Sequence, residues 1–591
     1  MSTKDFTANV ISATKVVPDG NFKDSKASGI WDINEALDLI KGGNWPNVAN
    51  LNPAAFVDAL FQTYLYDGNG GTQSIVNNID LTKGGLVWTK RRDSTSNGDH
   101  TLYDTERGTG SGGRIRSNNN QRAYSPTDAV TAFNNNGFSL GADASINGNG
   151  YEMLSWTFRK QAKFFDVQTW TGDADDNRTI SHSLNAVPGM IIVKRLDGSS
   201  DWITYNSNGS IYKQMVLNST DANNSDKNFS QIATTSVLKI GHIGGTTDVG
   251  NKNGETYVAY LYAHNDDDGG FGEPGDQDII KCGGYTGNGN ATGTVVNLGF
   301  EPQWLLVRRA NSGDAWHIVD NMRGFTADGV IASNLRPNNN DVEGSATRVK
   351  PTSTGFQLVT TDNEFNANNG TYVYMAIRRG GMQTPTAASD VFGINEAGTN
   401  DSPTNNFTVG FDPDMNINTT TAGNQKFILT RLLGTNFLKT NATSAQTDQS
   451  DASFFGGPTG TIDLNTDFFA TTSTVISWSW ARAKGFFDIL VTKSLDSQVT
   501  HNLGVAPEIV LYKRRDATSD WFFCTGVDGF GKINTDAAFT GTQNGAGTGS
   551  NLANATATNV YGGSVFVGGA DRDMVIYLFA TAAGVSKVGS F

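Results

Sequence analysis

The chain has 591 residues, 37% of them hydrophobic and 68 of them glycine, a length that suits about four domains at roughly 150 residues each. Only 17% are charged and the net charge is −14, a field that repels phosphate backbones and argues against nucleic-acid binding. No run of ~18 apolar residues offers a membrane span, no apolar core follows Met1 as in a secretory leader, and Cys282 and Cys524 are too few for a disulfide framework. The expectation is a large, β-rich chain made in the cytosol, with no membrane insertion.

The first elements are helical. Ile33, Leu37 and Ile40 share a face, and Gly42 stands as a stop. Trp31 and Trp45 bracket this helix. A second helix is predicted over Pro53–Leu65, capped by Asn52 with Pro53 in the first position. Trp31, Leu37, Ile40 and Trp45 are the docking candidates of an N-terminal segment placed at 1–72; the alternative is a helix packed on the first sandwich.

From there the chain repeats itself. Leu184-Asn-Ala-Val-Pro188 leads into Met190-Ile-Ile-Val-Lys-Arg195 and then Trp202. Leu298-Gly-Phe-Glu-Pro302 leads into Trp304-Leu-Leu-Val-Arg-Arg309 and Trp316, and Leu503-Gly-Val-Ala-Pro507 into Ile509-Val-Leu-Tyr-Lys-Arg514 and Trp521. Pro and Trp are 14 residues apart in all three. Weaker copies are centred on Pro413, with Phe427 near the Trp position, and on Gly85, with His100 near it. Each unit closes with an aromatic strand around Trp156, Tyr260, Ala376, Trp478 or Tyr577, at 71, 72, 74, 65 and 70 residues from its anchor. Trp156-Thr-Phe-Arg-Lys-Gln-Ala-Lys-Phe-Phe-Asp166 returns 322 residues later as Trp478-Ser-Trp-Ala-Arg-Ala-Lys-Gly-Phe-Phe-Asp488. Units one and two therefore pair with units four and five, which suggests duplication of a two-unit block.

Within a unit, short β-branched and aromatic runs alternate with Gly, Asn and Asp. In the second unit they are Val167–Trp170, Thr179–Leu184, Met190–Val193, Trp202–Tyr205, Val237–Ile240 and Tyr257–Tyr262. Such runs read as strands, about six per hundred residues, and so as a two-sheet sandwich. The Pro belongs at a strand entry because it has no N–H to give to a ladder. The apolar run after it reads as a central strand buried on both faces. The Lys/Arg pair that follows is expected to mark emergence into solvent, and the Trp to bury a large apolar area on the returning strand. The fold class is all-β: tandem β-sandwich (jelly-roll or lectin-like) repeats with a short helical N-terminal segment. The units are set at 73–163, 164–265, 280–380, 381–484 (divergent) and 485–591, with an acidic, Gly-rich linker at 266–279. Pro188, Trp202, Pro302, Trp316, Pro413, Pro507 and Trp521 form the repeat core.

The search for chemistry gives little. None of the six histidines forms an H-x-x-x-H pair. His182 and His501 hold matching places in two repeats and read as structural. No nucleophile elbow, P-loop or dinucleotide fingerprint sits between a strand and a helix. Cys524 reads as a buried thiol. The acidic run at 266–278 offers Asp266, Asp267, Asp268, Asp276 and Asp278 as weak Ca²⁺ candidates, but the spacing is not that of an EF-hand and a solvated linker fits better. Asp67–Gly71 and Asp173–Asp176 read first as turns. No catalytic residue and no cofactor is assigned.

Several blocks together resemble a family of tail-associated structural proteins from marine tailed bacteriophages: Ala27-Ser-Gly-Ile-Trp31-Asp, Lys41-Gly-Gly-Asn-Trp45-Pro, Gly84-Gly-Leu-Val-Trp88-Thr-Lys-Arg, Leu102-Tyr-Asp-Thr-Glu-Arg107-Gly, Leu298-Gly-Phe-Glu-Pro-Gln-Trp304 and Tyr372-Val-Tyr-Met-Ala-Ile-Arg-Arg379. The likeness covers about 25–380; the remainder follows through the internal repeat. It implies a virion component, which we read as one of the tail, a fibre or tail-tip protein. Its N-terminus would dock on other virion proteins and its loops would meet a host-surface glycan or receptor. It also implies a homotrimer. A capsid decoration or head-fibre protein and a glycan-degrading tailspike enzyme are the alternatives.

Overall fold

The computed structural model describes residues 56–589 apart from 110–112, 125–127, 176–177, 207–212, 223–232, 241–249, 273–274, 276, 328, 330–331, 381–382, 398–405, 421–425, 449–454, 456–460, 464–474, 526–528, 536–539 and 542–554. The helix built on Ile33, Leu37 and Ile40 lies outside the described residues. The helix expected over Pro53–Leu65 is not formed where it is described. A single 3-10 turn at Val57–Ala59 gives way to a strand at Phe61–Asp67. The helical spacing of Phe56, Val57, Leu60 and Phe61 competes with the alternation Phe61, Thr63, Leu65. Pairing with Glu152–Arg159 decides it, because seven cross-strand partners outweigh local propensity. The first unit accordingly starts near 61 and not at 73.

All five units are antiparallel sandwiches of one plan. In each large sheet an opening strand pairs with a closing strand, the closing strand with a central strand, and the central strand with a returning strand, followed in every unit but the third by a fifth. The opening strands are Phe61–Asp67, Phe165–Thr171, Ile280–Thr286, Phe392–Ala397 and Phe487–Lys493. The central strands are Gly85–Arg91, Pro188–Arg195, Pro302–Arg309, Met415–Thr420 and Ile509–Arg514, and the returning ones Thr101–Asp104, Ile203–Asn206, His317–Asp320, Lys426–Thr430 and Trp521–Thr525. The closing strands are Glu152–Arg159, Thr256–Ala263, Thr371–Arg378, Val475–Trp480 and Asp573–Phe579. A smaller sheet of two or three strands faces each large one, such as Arg178–Ser181 with Val237–Ile240.

The anchors behave as their chemistry dictates. Pro188 and Pro302 each open a central strand, with a register irregularity right behind them. Pro413 and Pro507 stand two residues ahead of theirs. Register refines the landmarks. Ile192 faces Tyr260, Leu306 faces Met375, Ile417 faces Trp478, Leu511 faces Tyr577 and Trp88 faces Trp156. The equivalent of Tyr260 is thus Met375, one residue before Ala376, and the first anchor is Gly84, one before Gly85. The same register puts Lys426, not Phe427, at the Trp position of unit four.

One device recurs at the turn after the opening strand. Asn147, Asn251 and Asn366 are buried. Each side-chain oxygen accepts from a backbone N–H 78 residues back: Asn69 at 3.0 Å, Asp173 at 3.2 Å and Asn288 at 2.9 Å. Each amide also donates to carbonyls of the same unit, Asn366 to the Asn290 carbonyl at 2.8 Å and the Thr360 carbonyl at 2.8 Å. The turns at Asp67–Gly71 and Asp173–Asp176 are held this way. Bonding from Asn251 pulls the Asp173 carboxyl down to about 2. Asn366→Ala would leave these backbone groups without a partner, at a cost of about 2–4 kcal/mol. The expected result is a lower unfolding midpoint and, by hydrogen exchange, loss of protection first at residues 287–290.

Candidate functional site

The large sheet of the third unit is largely apolar on both faces. In the third unit Leu305, Val307, Val319 and Ala376 point to that unit's own core. The alternate residues Trp304, Leu306 and Met375 point the other way and are equally buried. They are covered by neighbouring units. Phe61 and Phe158 of unit one lie 6.0 Å from the Trp304 ring of unit three. Phe158 also meets Phe165 at 5.6 Å and Tyr262 at 5.5 Å, both from unit two. Trp156 stands edge-on to Trp304 at 6.5 Å. An aromatic hub is therefore shared by three sandwiches.

Around this hub the units are joined by one repeated contact. The Trp before or at the start of the returning strand donates its indole N–H to the last carbonyl of the preceding unit's fifth strand: Trp202 to Arg116 at 2.7 Å, Trp316 to Val216 at 3.0 Å and Trp521 to Lys439 at 2.8 Å. The first basic residue of each Lys/Arg pair reaches the same neighbour. Lys194 donates to the Asn120 carbonyl at 3.1 Å, Lys513 to the Thr443 carbonyl at 3.0 Å and Arg308 to the Val216 carbonyl at 2.8 Å. These residues do not emerge into solvent. Lys90, Lys194, Arg308 and Lys513 are fully buried. Burial pushes the three lysines down to about 8 and Arg308 to about 10. The Trp is likewise an anchor between units and not a filler of its own sandwich.

A second pair completes the joint. Tyr260 donates to Asp104 at 2.7 Å, Trp156 to Asp320 at 3.0 Å, and Tyr577 is bonded to Thr430 at 2.8 Å. At the same register position Asn206 donates to the Tyr374 carbonyl at 3.2 Å. Arg107 and Arg323 hold the two aspartates at 2.6 Å and 2.8 Å. Unit one thus joins unit two, unit two joins unit three, and unit three joins back to unit one. At the closing joint His100 replaces the Trp and its ring faces the Arg336 backbone. Glu343 N–H donates to the Arg92 carbonyl at 2.8 Å, and Ser117 to the Pro337 carbonyl at 2.8 Å. Units four and five form the same joint as a pair.

The two sets meet in a buried ionic network. Glu301 receives Arg482 in a two-pronged contact at 3.0 Å and Arg379 at 3.2 Å. Arg379 also pairs with Asp414, and Arg431 with Asp412. The two arginines hold Glu301 below the usual carboxylate range against its burial. A cleft of about 390 Å³ beside them is lined by Asp58, Asn321, Arg379, Asp412 and Arg482.

The acidic run is dispersed. Asp278 accepts from the backbone of Asp267 at 2.9 Å and Gly269 at 3.0 Å. Asp266 points to solvent beside Lys281. Asp276 lies outside the described residues, as do Trp31, Leu37, Ile40 and Trp45. Among the described residues no group of three His, Cys, Asp or Glu side chains is placed to hold a metal. His182 and His501 each accept the N–H two residues on, at 3.3 Å and 3.2 Å. Beside them Asp166 and Asp488 accept from Ser183 at 2.6 Å and Asn502 at 2.8 Å. This turn is what the duplicated Phe-Phe-Asp motif builds. Cys282 and Cys524 are buried thiols raised by burial. No described helix is long and apolar enough to cross a membrane.

A family model described as a domain of unknown function (DUF7483) matches residues 58–379 and 388–591. The chain belongs to that family. No curated protein and no solved structure matches it.

Two outcomes test the joint. Trp316→Phe keeps an aromatic ring but removes one of the two donors to the Val216 carbonyl, leaving Arg308, and is expected to cost about 1 kcal/mol; Trp316→Ala should cost about 3–5 kcal/mol. Both are read by chemical denaturation. The lysines give a pH signature. Lys194 sits at about 8 when folded, below the ~10.4 of an open chain. Between those values the unfolded chain binds the proton more tightly, so stability rises with pH. Thermal midpoints of the wild type should therefore gain on those of Lys194→Met from pH 7.5 to 9.5.

Proposed function

We propose that this chain is a structural protein of a tailed-bacteriophage virion, a tail fibre or tail-tip component that docks through its N-terminal segment and meets the host surface with its loops. The observation that carries the reading is the joint. The same Trp and buried cation lock successive sandwiches together, so repetition here builds one stiff body and not beads on a flexible string. Such a body transmits force and presents many loops, which suits attachment better than turnover. The resemblance of the Gly84–Arg91 and Leu298–Trp304 blocks to marine phage tail proteins points the same way. Exposed Asn, Asp and Thr on the loops offer the hydrogen-bonding groups that glycans take. In this reading the protein holds no cofactor and catalyses no reaction.

Immunogold labelling of virions with antibody against the purified chain tests it. Gold on the tail is expected. Gold on the capsid would move the protein to the head-fibre class, and its absence from virions would end the proposal. New reducing ends released from host polysaccharide by the purified chain would instead favour a tailspike enzyme.

A further inference from the structure

Five units have five joint positions, and four are filled. At the acceptor position Asp104, Asn206, Asp320 and Thr430 are buried, whereas Thr525 of unit five is half-exposed. At the basic position Lys90, Lys194, Arg308 and Lys513 are buried, whereas Thr419 of unit four is half-exposed. At the Trp position His100, Trp202, Trp316 and Trp521 are buried, whereas Lys426 is exposed. At the aromatic position Trp156, Tyr260, Met375 and Tyr577 are buried, whereas Trp478 is half-exposed.

The leftovers are two different halves. Unit four keeps the half that donates. Lys426 is still a donor at the Trp position. Trp478 stands where Trp156 gives its N–H to Asp320, and its indole N–H has no acceptor among the described residues. Beside it Ile394 is 60% exposed, at the place where Thr63 of unit one is 1% exposed. Unit five keeps the half that accepts. The Lys532 carbonyl ends its fifth strand as Arg116, Val216 and Lys439 end theirs. Ile533 bonds the backbone of Trp521 as Leu217 bonds that of Trp202, yet Ile533 is 44% exposed and Leu217 is 0%.

We infer that these halves belong together across chains. Unit five of one copy seats unit four of a second copy, head to tail, at the place of the joint formed four times within the chain, with Lys426 standing for its Trp and Thr419 for its cation. The occupant is a second copy because the chain itself carries both complementary halves, each continuous with the unit 4–5 interface. Two different patches are used, so the contact is heterologous and builds a ring where the rotation closes and an open filament where it does not. Ile394, Trp478 and Lys426 face Thr525, Ile533 and the Lys532 carbonyl. This inference does not depend on the virion reading.

Light scattering behind size exclusion on the full chain at about 20 µM tests it. A mass that is a multiple of 63.2 kDa is expected. Ile394→Glu and Ile533→Glu, both at exposed positions, should each reduce it to the single chain, while Val295→Glu, 60% exposed on the small sheet of unit three, should leave it whole. Mixing the two blocked variants should give a species of two chains and no larger, because only one good half remains on each. Circular dichroism checks that each variant is folded. A wild type of single-chain mass overturns the inference, and so does an assembly that survives both substitutions or a mixture that grows past two chains.

Discussion

A sheet that is apolar on both faces cannot stand in water with one face bare. That constraint organises this protein. In each sandwich the small sheet covers one side of the large sheet. The other side carries residues such as Trp304, Leu306, Trp156 and Tyr260, each of which buries enough apolar surface to matter at about 25 cal/mol per Å². Only another unit can cover them. The polar contacts of the joint then fix the angle at which it does so. A buried indole N–H or lysine left without an acceptor would cost more than the bond itself returns, so Trp202 and Lys194 select the one placement in which the carbonyls of Arg116 and Asn120 are within reach.

The same logic explains where the sequence drifts. Unit four has Asn416 and Asn418 in its interior, where Asn416 bonds Ser477 at 2.6 Å and Ser479 at 2.8 Å. The equivalent of Asn416 is Val87 in the first unit and Leu305 in the third. Unit four also lacks the Trp and the cation on the side where, among the described residues, no unit of its own chain sits. Unit five, whose Trp521 and Lys513 seat on unit four, retains both. Divergence follows the pattern of contacts.

Much of this was legible in the sequence. Strand identity, the strand-entry prolines and the five-fold repeat rest on local composition and spacing, and these are local properties. The run Val237–Ile240 coincides with a strand of the same limits. What failed was long-range. Lys194 before Arg195 looked like a strand leaving the core, because its acceptor at Asn120 lies 74 residues away. The segment from Pro53 to Leu65 carried helical spacing that a partner strand at 152–159 overrode. The Asn366 clamp was visible only as a spacing of 78 residues to Asn288. A scan for Asn recurring at one offset within each unit, beside Asn147 and Asn251, would have found it.

The central claim is that units one to three close on one another through the joint between unit three and unit one. Cysteines at positions 92 and 343, where the Glu343 N–H meets the Arg92 carbonyl at 2.8 Å, test it most directly. With closure, the pair should link under mild oxidation of the native protein and run as a looped species on a non-reducing gel, with the thermal midpoint preserved or raised. A pair that links only after unfolding, or not at all, would mean that the three sandwiches lie in an open row and that the shared aromatic hub does not exist.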